Sequence, residues 1–177
     1  TPKNPMCEVA DVAALAKRAS SAGAYLAVDS TFATPVLQQP LALGAHFVMH
    51  SSTKFLSGHS DALGGVLAVA DVDRALKLRA ERSVQGNVLG TLETWLTLRS
   101  LRTLDLRVKR QSETATAIAQ WLVGKVPKVW HPSLPDHPGH RIAREQMRGP
   151  GGVLSIELAS EAQARELPGR LHLFRDA

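Results

Sequence analysis

Residues 46–61 read His46-Phe47-Val48-Met49-His50-Ser51-Ser52-Thr53-Lys54-Phe55-Leu56-Ser57-Gly58-His59-Ser60-Asp61. The first five form a short apolar run, the length of a strand rather than a helix. Two hydroxyls and a lysine follow within four residues, and then a loop rich in Gly, Ser and His. A strand ending in such a cluster puts it at the carboxyl edge of a sheet, where open α/β sheets hold their ligands.

Working outward, Ala24-Tyr25-Leu26-Ala27-Val28 is a second apolar run without alternation, which predicts a strand buried on both faces and so a parallel sheet. Pro35 and Pro40 break the connection between the runs, which is long enough for a crossover and too long for a hairpin. Before it, Val12, Leu15, Ala16 and Ala19 recur at helical spacing. With Asp11 as N-cap and Gly23 as stop, they predict a helix from Val12 to Ala22. Downstream, Gly64-Gly65 leads into a third strand, Val66–Ala70, and helical patterning resumes from Val72 to Glu81. Apolar residues from Leu92 to Val123, among them Trp95, Leu96, Leu101, Leu104, Val108, Ala115 and Leu122, outline one very long helix or two in sequence. After Gly124, four prolines (Pro127, Pro132, Pro135, Pro138) mark an irregular link around a short strand candidate, Val129-Trp130. Val153–Leu158 then alternates like a strand with one exposed face. The pattern is α/β with parallel strands over residues 1–112, followed by the opening of an α+β unit over 113–177. The final stretch, Leu171 to Ala177, carries no stop signal.

The chain has 177 residues, 44% apolar and 21% charged, as in ordinary globular proteins. No run approaches the ~18 apolar residues that span a bilayer, and Thr1-Pro2-Lys3-Asn4-Pro5 is neither a signal nor a transit sequence, so a cytoplasmic location is expected, away from membranes. Cys7, the single cysteine, excludes an internal disulfide and a multi-cysteine zinc site. The net charge of +5 invites a nucleic-acid reading through Arg99, Arg102, Arg107, Lys109 and Arg110. Glu93, Asp105 and Glu113 interrupt that cluster, and aromatic interleaving is missing, so a solvated or subunit-facing helix surface is the better reading and no nucleic-acid partner is expected. His46 and His50 lack a third ligand, so no metal site is expected. His59, Ser60 and Asp61 are consecutive and cannot converge as a triad does; they read as loop residues. Trp95, Trp121 and Trp130 read as core or interface aromatics.

On chemistry alone, Lys54 is an amine nucleophile beside two hydroxyls fit to hold a phosphate. Asp29, at the carboxyl end of the preceding strand, reaches the same crevice. A carboxylate there needs a cationic partner, and a protonated pyridine nitrogen is one. A plain surface ion pair between Lys54 and Asp29 accounts for these residue types equally well.

The segment Ser51–Ser60 resembles the cofactor-lysine signature of the Cys/Met-metabolism (transsulfuration) enzymes, which use pyridoxal 5'-phosphate (PLP). Thr1-Pro2-Lys3-Asn4-Pro5 resembles that family's Thr-Pro-x-Asn-Pro turn, and Val28-Asp29-Ser30-Thr31-Phe32 its Val-Asp-Asn-Thr-Phe segment, with Ser30 in place of Asn. Gly90–Leu104 looks like the helix around its Arg-Gly-Leu-Lys-Thr-Leu motif. His137-Pro138-Gly139-His140 and Gly149–Ser155 resemble the start of its carboxyl-terminal domain.

The resemblance implies part of a large PLP-binding domain of the aspartate-aminotransferase-like fold, then the start of a smaller α+β domain. It implies Lys54 as the residue that forms the internal aldimine, Asp29 on the pyridine nitrogen, Ser51 and Thr53 on the cofactor phosphate, and Asn4 on the ring hydroxyl or the substrate carboxylate. The implied activity is γ-replacement or γ-elimination on sulfur amino acids or O-acyl-homoserine, of the cystathionine γ-synthase and γ-lyase kind. Cystathionine β-lyase, methionine γ-lyase, O-acetylhomoserine sulfhydrylase and a non-catalytic homologue stay open. The family's Gly-rich phosphate turn, stacking tyrosine and Tyr-x-Arg pair lie upstream of the first motif, and its carboxylate-binding arginine and Ser-Leu-Gly-Gly segment lie beyond the last. The chain is therefore expected to be a fragment of a longer homo-oligomer, inactive by itself.

Overall fold

The computed structural model describes residues 1–173; Phe174, Arg175, Asp176 and Ala177, which end the terminal stretch noted above, lie outside the described residues. Helix α1 (Val12–Ser21) starts where Asp11 accepts a hydrogen bond from Ala14 N and stops before Gly23, whose φ of +66° is open to glycine at little cost. Its Val12 packs with Val28 and Val48 of the first two strands, β1 (Ala27–Asp29) and β2 (Phe47–Ser51), which run parallel in register Val28 to Val48. Between them, the short helix α2 (Thr34–Leu37) occupies the crossover.

Two expectations need correction. The strand expected over Ala24–Val28 is shorter and is not buried on both faces: Val28 is buried, whereas Ala27 and Asp29 are exposed. The physical reason is that α1 covers one face, while Met49 and Leu67 on the sheet stay largely open to solvent. The third strand, β3 (Gly65–Val69), pairs antiparallel to β2, so the sheet, in order β1-β2-β3, is mixed. The chain turns back on itself between Ser51 and Gly65, which are directly paired, and the segment bearing Lys54 is the loop of that wide hairpin.

Helix α3 (Val72–Gln85), capped by Asp71 and ended by Gly86 in the left-handed region, buries no residue. The long helical pattern resolves into two helices, α4 (Thr91–Leu101) and α5 (Leu104–Leu122), broken at Arg102-Thr103. Leu104 and Val108 of α5 join Leu37, Leu56, Ala143 and Met147 in a core beneath the Lys54 loop, where each buried Leu, Val or Met side chain stabilises by about 1.5–3 kcal/mol. Farther along α5, Ala119 packs with Val129 and Leu134 against the antiparallel pair β4 (Lys128–Trp130) and β5 (Ser155–Glu157). Helices α6 (His140–Gln146) and α7 (Glu161–Arg170) have no counterpart in the sequence reading. The first is too short to show a period, and the second buries nothing, so neither leaves an apolar stripe.

His131 is fully buried between these parts. Nε2 lies 3.2 Å from the Gly151 carbonyl, to which it donates, so Nδ1 is left to accept from the Ser133 hydroxyl at 2.7 Å. A neutral ring satisfies both partners. Burial lowers its pKa from the ordinary 6.5, and so does His137 nearby, against the smaller raising influence of the Gly151 bond. The unfolded chain therefore takes up the proton first, and stability present above pH 6.5 is lost as pH falls through that value toward the folded-state pKa. His50, buried and shifted the same way by desolvation, adds to the trend. Denaturant titration of the full-length protein between about pH 7 and about pH 5 is expected to show this loss. His131→Phe is expected to cost about 1–3 kcal/mol at neutral pH and to flatten the slope; an unchanged slope would contradict the assignment.

Candidate functional site

The carboxyl ends of β1 and β2 are joined through one hydroxyl. Asp29, the last residue of β1, accepts on Oδ1 from Thr31 N at 2.9 Å and from Thr31 Oγ1 at 2.6 Å. Thr31 Oγ1 in turn accepts from Ser51 N at 2.9 Å. A carboxylate that bonds its own backbone two residues on is an Asx-turn, and here it fixes the carboxylate's direction while Oδ2 has no partner among the described residues. Gln38, buried, donates from Nε2 to Ser30 Oγ at 3.1 Å and to the Thr1 carbonyl at 3.0 Å, and so holds the amino-terminal segment beside the end of β1. Asn4 sits exposed in the turn of that segment, which closes through Lys3 N on the Glu8 carbonyl.

Beyond β2 the chain enters a π-helical turn, Ser52–Leu56, closed by Ser57 N on the Ser52 carbonyl at 2.9 Å. Lys54 breaks the helical run, with φ −87° and ψ −115°. Ser52 and Leu56 are buried, whereas Lys54 is exposed. The turn thus anchors itself on either side of the lysine and leaves the amine outward. It opens on a cleft of about 720 Å³ lined by Thr53, Lys54, Gly58, Asp61, Glu93 and Gln111. Thr53 Oγ1 accepts from Gly64 N at 3.2 Å, across the mouth of the hairpin. The Ser52 hydroxyl is buried without a partner among the described residues.

The residues singled out from sequence therefore fall into two neighbouring groups. Lys54 and Thr53 share the cleft; Asp29 and Ser51 share the network through Thr31; Asn4 belongs to the adjoining turn. No ion pair joins Lys54 to Asp29 among the described residues, so the alternative of a surface salt bridge between them is overturned. Thr31 escaped the sequence reading, although a hydroxyl two positions after a strand-end carboxylate is the pattern that would have found it.

The basic stretch divides. Lys109 pairs with Asp105 at 2.8 Å and Arg110 with Glu113 at 3.7 Å, both exposed, as a solvated helix face requires. Arg107 turns inward. Its Nη1 donates to the Phe55 carbonyl at 2.9 Å, its Nη2 to the carbonyls of Ser100 at 3.0 Å and Leu56 at 3.4 Å, and its Nε to Thr103 Oγ1 at 3.1 Å. His59 is bonded through Nδ1 to the Ser57 carbonyl at 2.5 Å and lies 3.2 Å from Ser100 Oγ, while Ser57 Oγ donates to Asp61 at 2.9 Å. These residues brace the loop. Of the two readings of Trp95 and Trp121, core or interface, the core one is corrected: both are mostly exposed, beside Arg99 and Lys125 respectively, because α4 and the end of α5 turn those faces away from the core. Trp130 is half-buried and donates to Glu157 at 2.9 Å.

Gly58 has φ +71°, and a Cβ there would stand 2.2 Å from Arg107 Nη1. Gly58→Ala is therefore expected to destabilise the protein by about 1–3 kcal/mol, from left-handed strain and displacement of the guanidinium. Gly23→Ala, with φ +66° but nothing within 4 Å, carries the strain alone and is expected to cost less. Parallel denaturation curves check the order.

A family profile described as Cys/Met metabolism PLP-dependent enzyme matches residues 1–177. The cystathionine γ-synthase of Mycobacterium bovis is 43% identical over 177 residues, covering 98% of this chain and 46% of its own length. The cystathionine β-lyase of Lactococcus lactis is 41% identical over 176 residues, with shares of 98% and 46%. Among solved structures, cystathionine γ-synthase from Xanthomonas oryzae in complex with aminoacrylate and cysteine superposes with a TM-score of 0.97 at 39% identity, over 100% of this chain and 46% of that one. The chain spans about half the length of the relatives it matches.

Proposed function

Because the chain belongs to the Cys/Met-metabolism family of PLP-dependent enzymes, we propose that the complete protein carries out γ-replacement or γ-elimination on a sulfur amino acid or an O-acyl-homoserine, with Lys54 holding the cofactor. The observation that carries this reading is the presentation of Lys54: an exposed amine on a braced turn, opening on a cleft. The donor set fits PLP. Lys54 has no ion-pair partner among the described residues, the Ser51 hydroxyl has no hydrogen-bond partner among them, and Asp29 keeps one oxygen unengaged.

When bound, PLP supplies an electron sink for carbanionic charge. In this reading the Lys54 amine anchors the cofactor and then moves protons between the substrate's Cα, Cβ and Cγ. Asp29 keeps a proton on the pyridine nitrogen, and Thr31, with two hydrogen bonds to one carboxylate oxygen, directs the other toward it. Ser51 and Thr53 hold the phosphate through their hydroxyls, and Asn4 contacts the ring hydroxyl or the substrate carboxylate.

The reading extends to a large domain through residue 112 and a smaller one from 113, with α5 running through both and linking their cores. It also extends to a cytoplasmic homo-oligomer. The exposed row Leu92, Trp95 and Leu98 on α4 supports an oligomer, as a surface that rewards burial. Among the described residues no helix is long and apolar enough to cross a membrane.

The full-length protein is expected to take up PLP with the yellow absorbance of a lysine-bound cofactor, to be fixed on Lys54 by borohydride, and to lose both in Lys54→Ala. Absence of the band in the unmodified protein would sink the reading. Incubation with cystathionine then separates the chemistries: breaking the Cγ–S bond releases cysteine, and breaking the Cβ–S bond releases homocysteine. Cysteine is the expected product.

A further inference from the structure

Lys54 sits in a conformation that its own turn secures only in part, through Ser57 N on the Ser52 carbonyl and Gly58 N on the Lys54 carbonyl. π-helical geometry is rare, and ψ of −115° lies far from any helix. The carbonyls of Phe55 and Leu56, at the end of the turn, are the kind that a helix leaves without an internal partner. Arg107 supplies the partner for both, at 2.9 and 3.4 Å, and its third carbonyl contact, Ser100 at 3.0 Å, reaches the last turn of α4. The guanidinium is itself held from α5, where Thr103 Oγ1 receives Nε and the flanking Leu104 and Val108 are buried. Gly58 leaves room for it: at any other residue type the Cβ would overlap Nη1. Partial burial lowers the pKa of Arg107 by desolvation.

We propose that Arg107 is a positioning residue for Lys54: by gathering the carbonyls of Phe55, Leu56 and Ser100 in one planar fork, it locks the π-helical turn so that the lysine amine faces the cleft. The proposal rests on the cofactor reading of Lys54 for its functional sense, but not for its geometry. Lysine cannot replace the arginine, because an ammonium is a point donor and cannot span three carbonyls and a hydroxyl in the directions a guanidinium fork does. The same bonds join the α4–α5 junction to the turn, so a displacement of α4 is passed to Lys54.

The test uses the full-length protein with Arg107→Met, Arg107→Lys, Thr103→Val, which removes the acceptor of Nε together with the hydroxyl's own bond to the Ser100 carbonyl, and Arg110→Met as a control on the exposed face of the same helix. Amide hydrogen exchange of the cofactor-free protein is read over residues 52–58, and PLP affinity is read by absorbance titration. Exchange in the turn is expected to rise about tenfold or more in both Arg107 variants, as loss of more than one hydrogen bond predicts, with α1 and β2 unchanged. PLP affinity is expected to fall by a similar factor. Thr103→Val is expected to move both readouts the same way by less, and it carries the test if Arg107→Met does not fold; Arg110→Met is expected to match the unmodified protein. Unchanged exchange in the turn, or a rise shared equally by α1 and β2, overturns the proposal, as does full affinity in Arg107→Lys. Failure of borohydride to fix PLP on Lys54 in the unmodified protein would instead sink the cofactor reading and leave the exchange result standing.

Discussion

The pairing of Ser51 with Gly65 closes the loop that carries Lys54. Ser52 N on the Gly64 carbonyl at 2.9 Å, and Gly64 N on Thr53 Oγ1, extend the closure inward by one further step from each side. With both ends of the loop fixed by ladder bonds, the remaining freedom lies in the few residues around the lysine. The burial of Ser52, Leu56 and Ser57 and the four donated bonds of Arg107 then remove most of it. An exposed lysine on an unbraced loop would sample many orientations, at an entropic cost to any ligand that needed one of them.

The site is assembled from supports that serve different atoms. On the side of β1, Thr31 directs the Asp29 carboxylate and also satisfies the backbone of Ser51, so the orientation of the acid and the entry into the lysine turn depend on one hydroxyl. On the far side, α5 carries Arg107 under the turn while its own apolar face fills the core below. The relatives that the chain matches include γ-synthases, γ-lyases and β-lyases, so similarity over this stretch does not separate those chemistries.

Local chemistry accounts for the parts that sequence reading recovered. Asp11 caps α1 with its own side chain, and such a signal stands in the sequence without reference to the fold. The apolar runs at Val28 and Phe47–Met49 marked strands correctly, but an apolar run does not state what will cover it, and the expected burial of both faces failed at Ala27 and Asp29. The direction of β3 was likewise not written in its own residues. It follows from the way the intervening loop folds back, and that in turn depends on contacts with α4 and α5.

Lys54, Asp29, Ser51 and Thr53 could be placed at or just beyond strand ends from the sequence, because there spacing along the chain is nearly spacing in space. The sequence by itself determined the strand-end position of those residues, the α/β alternation and the helix capped by Asp11, since each is set by near neighbours. Tertiary structure alone decided that Arg107, one of several basic residues on a helix, would turn inward and bond the carbonyls of Phe55 and Leu56, more than fifty residues away along the chain. Nothing in the local pattern distinguishes it from Arg110, because what sets them apart is which face of α5 meets the loop, and packing fixes that face.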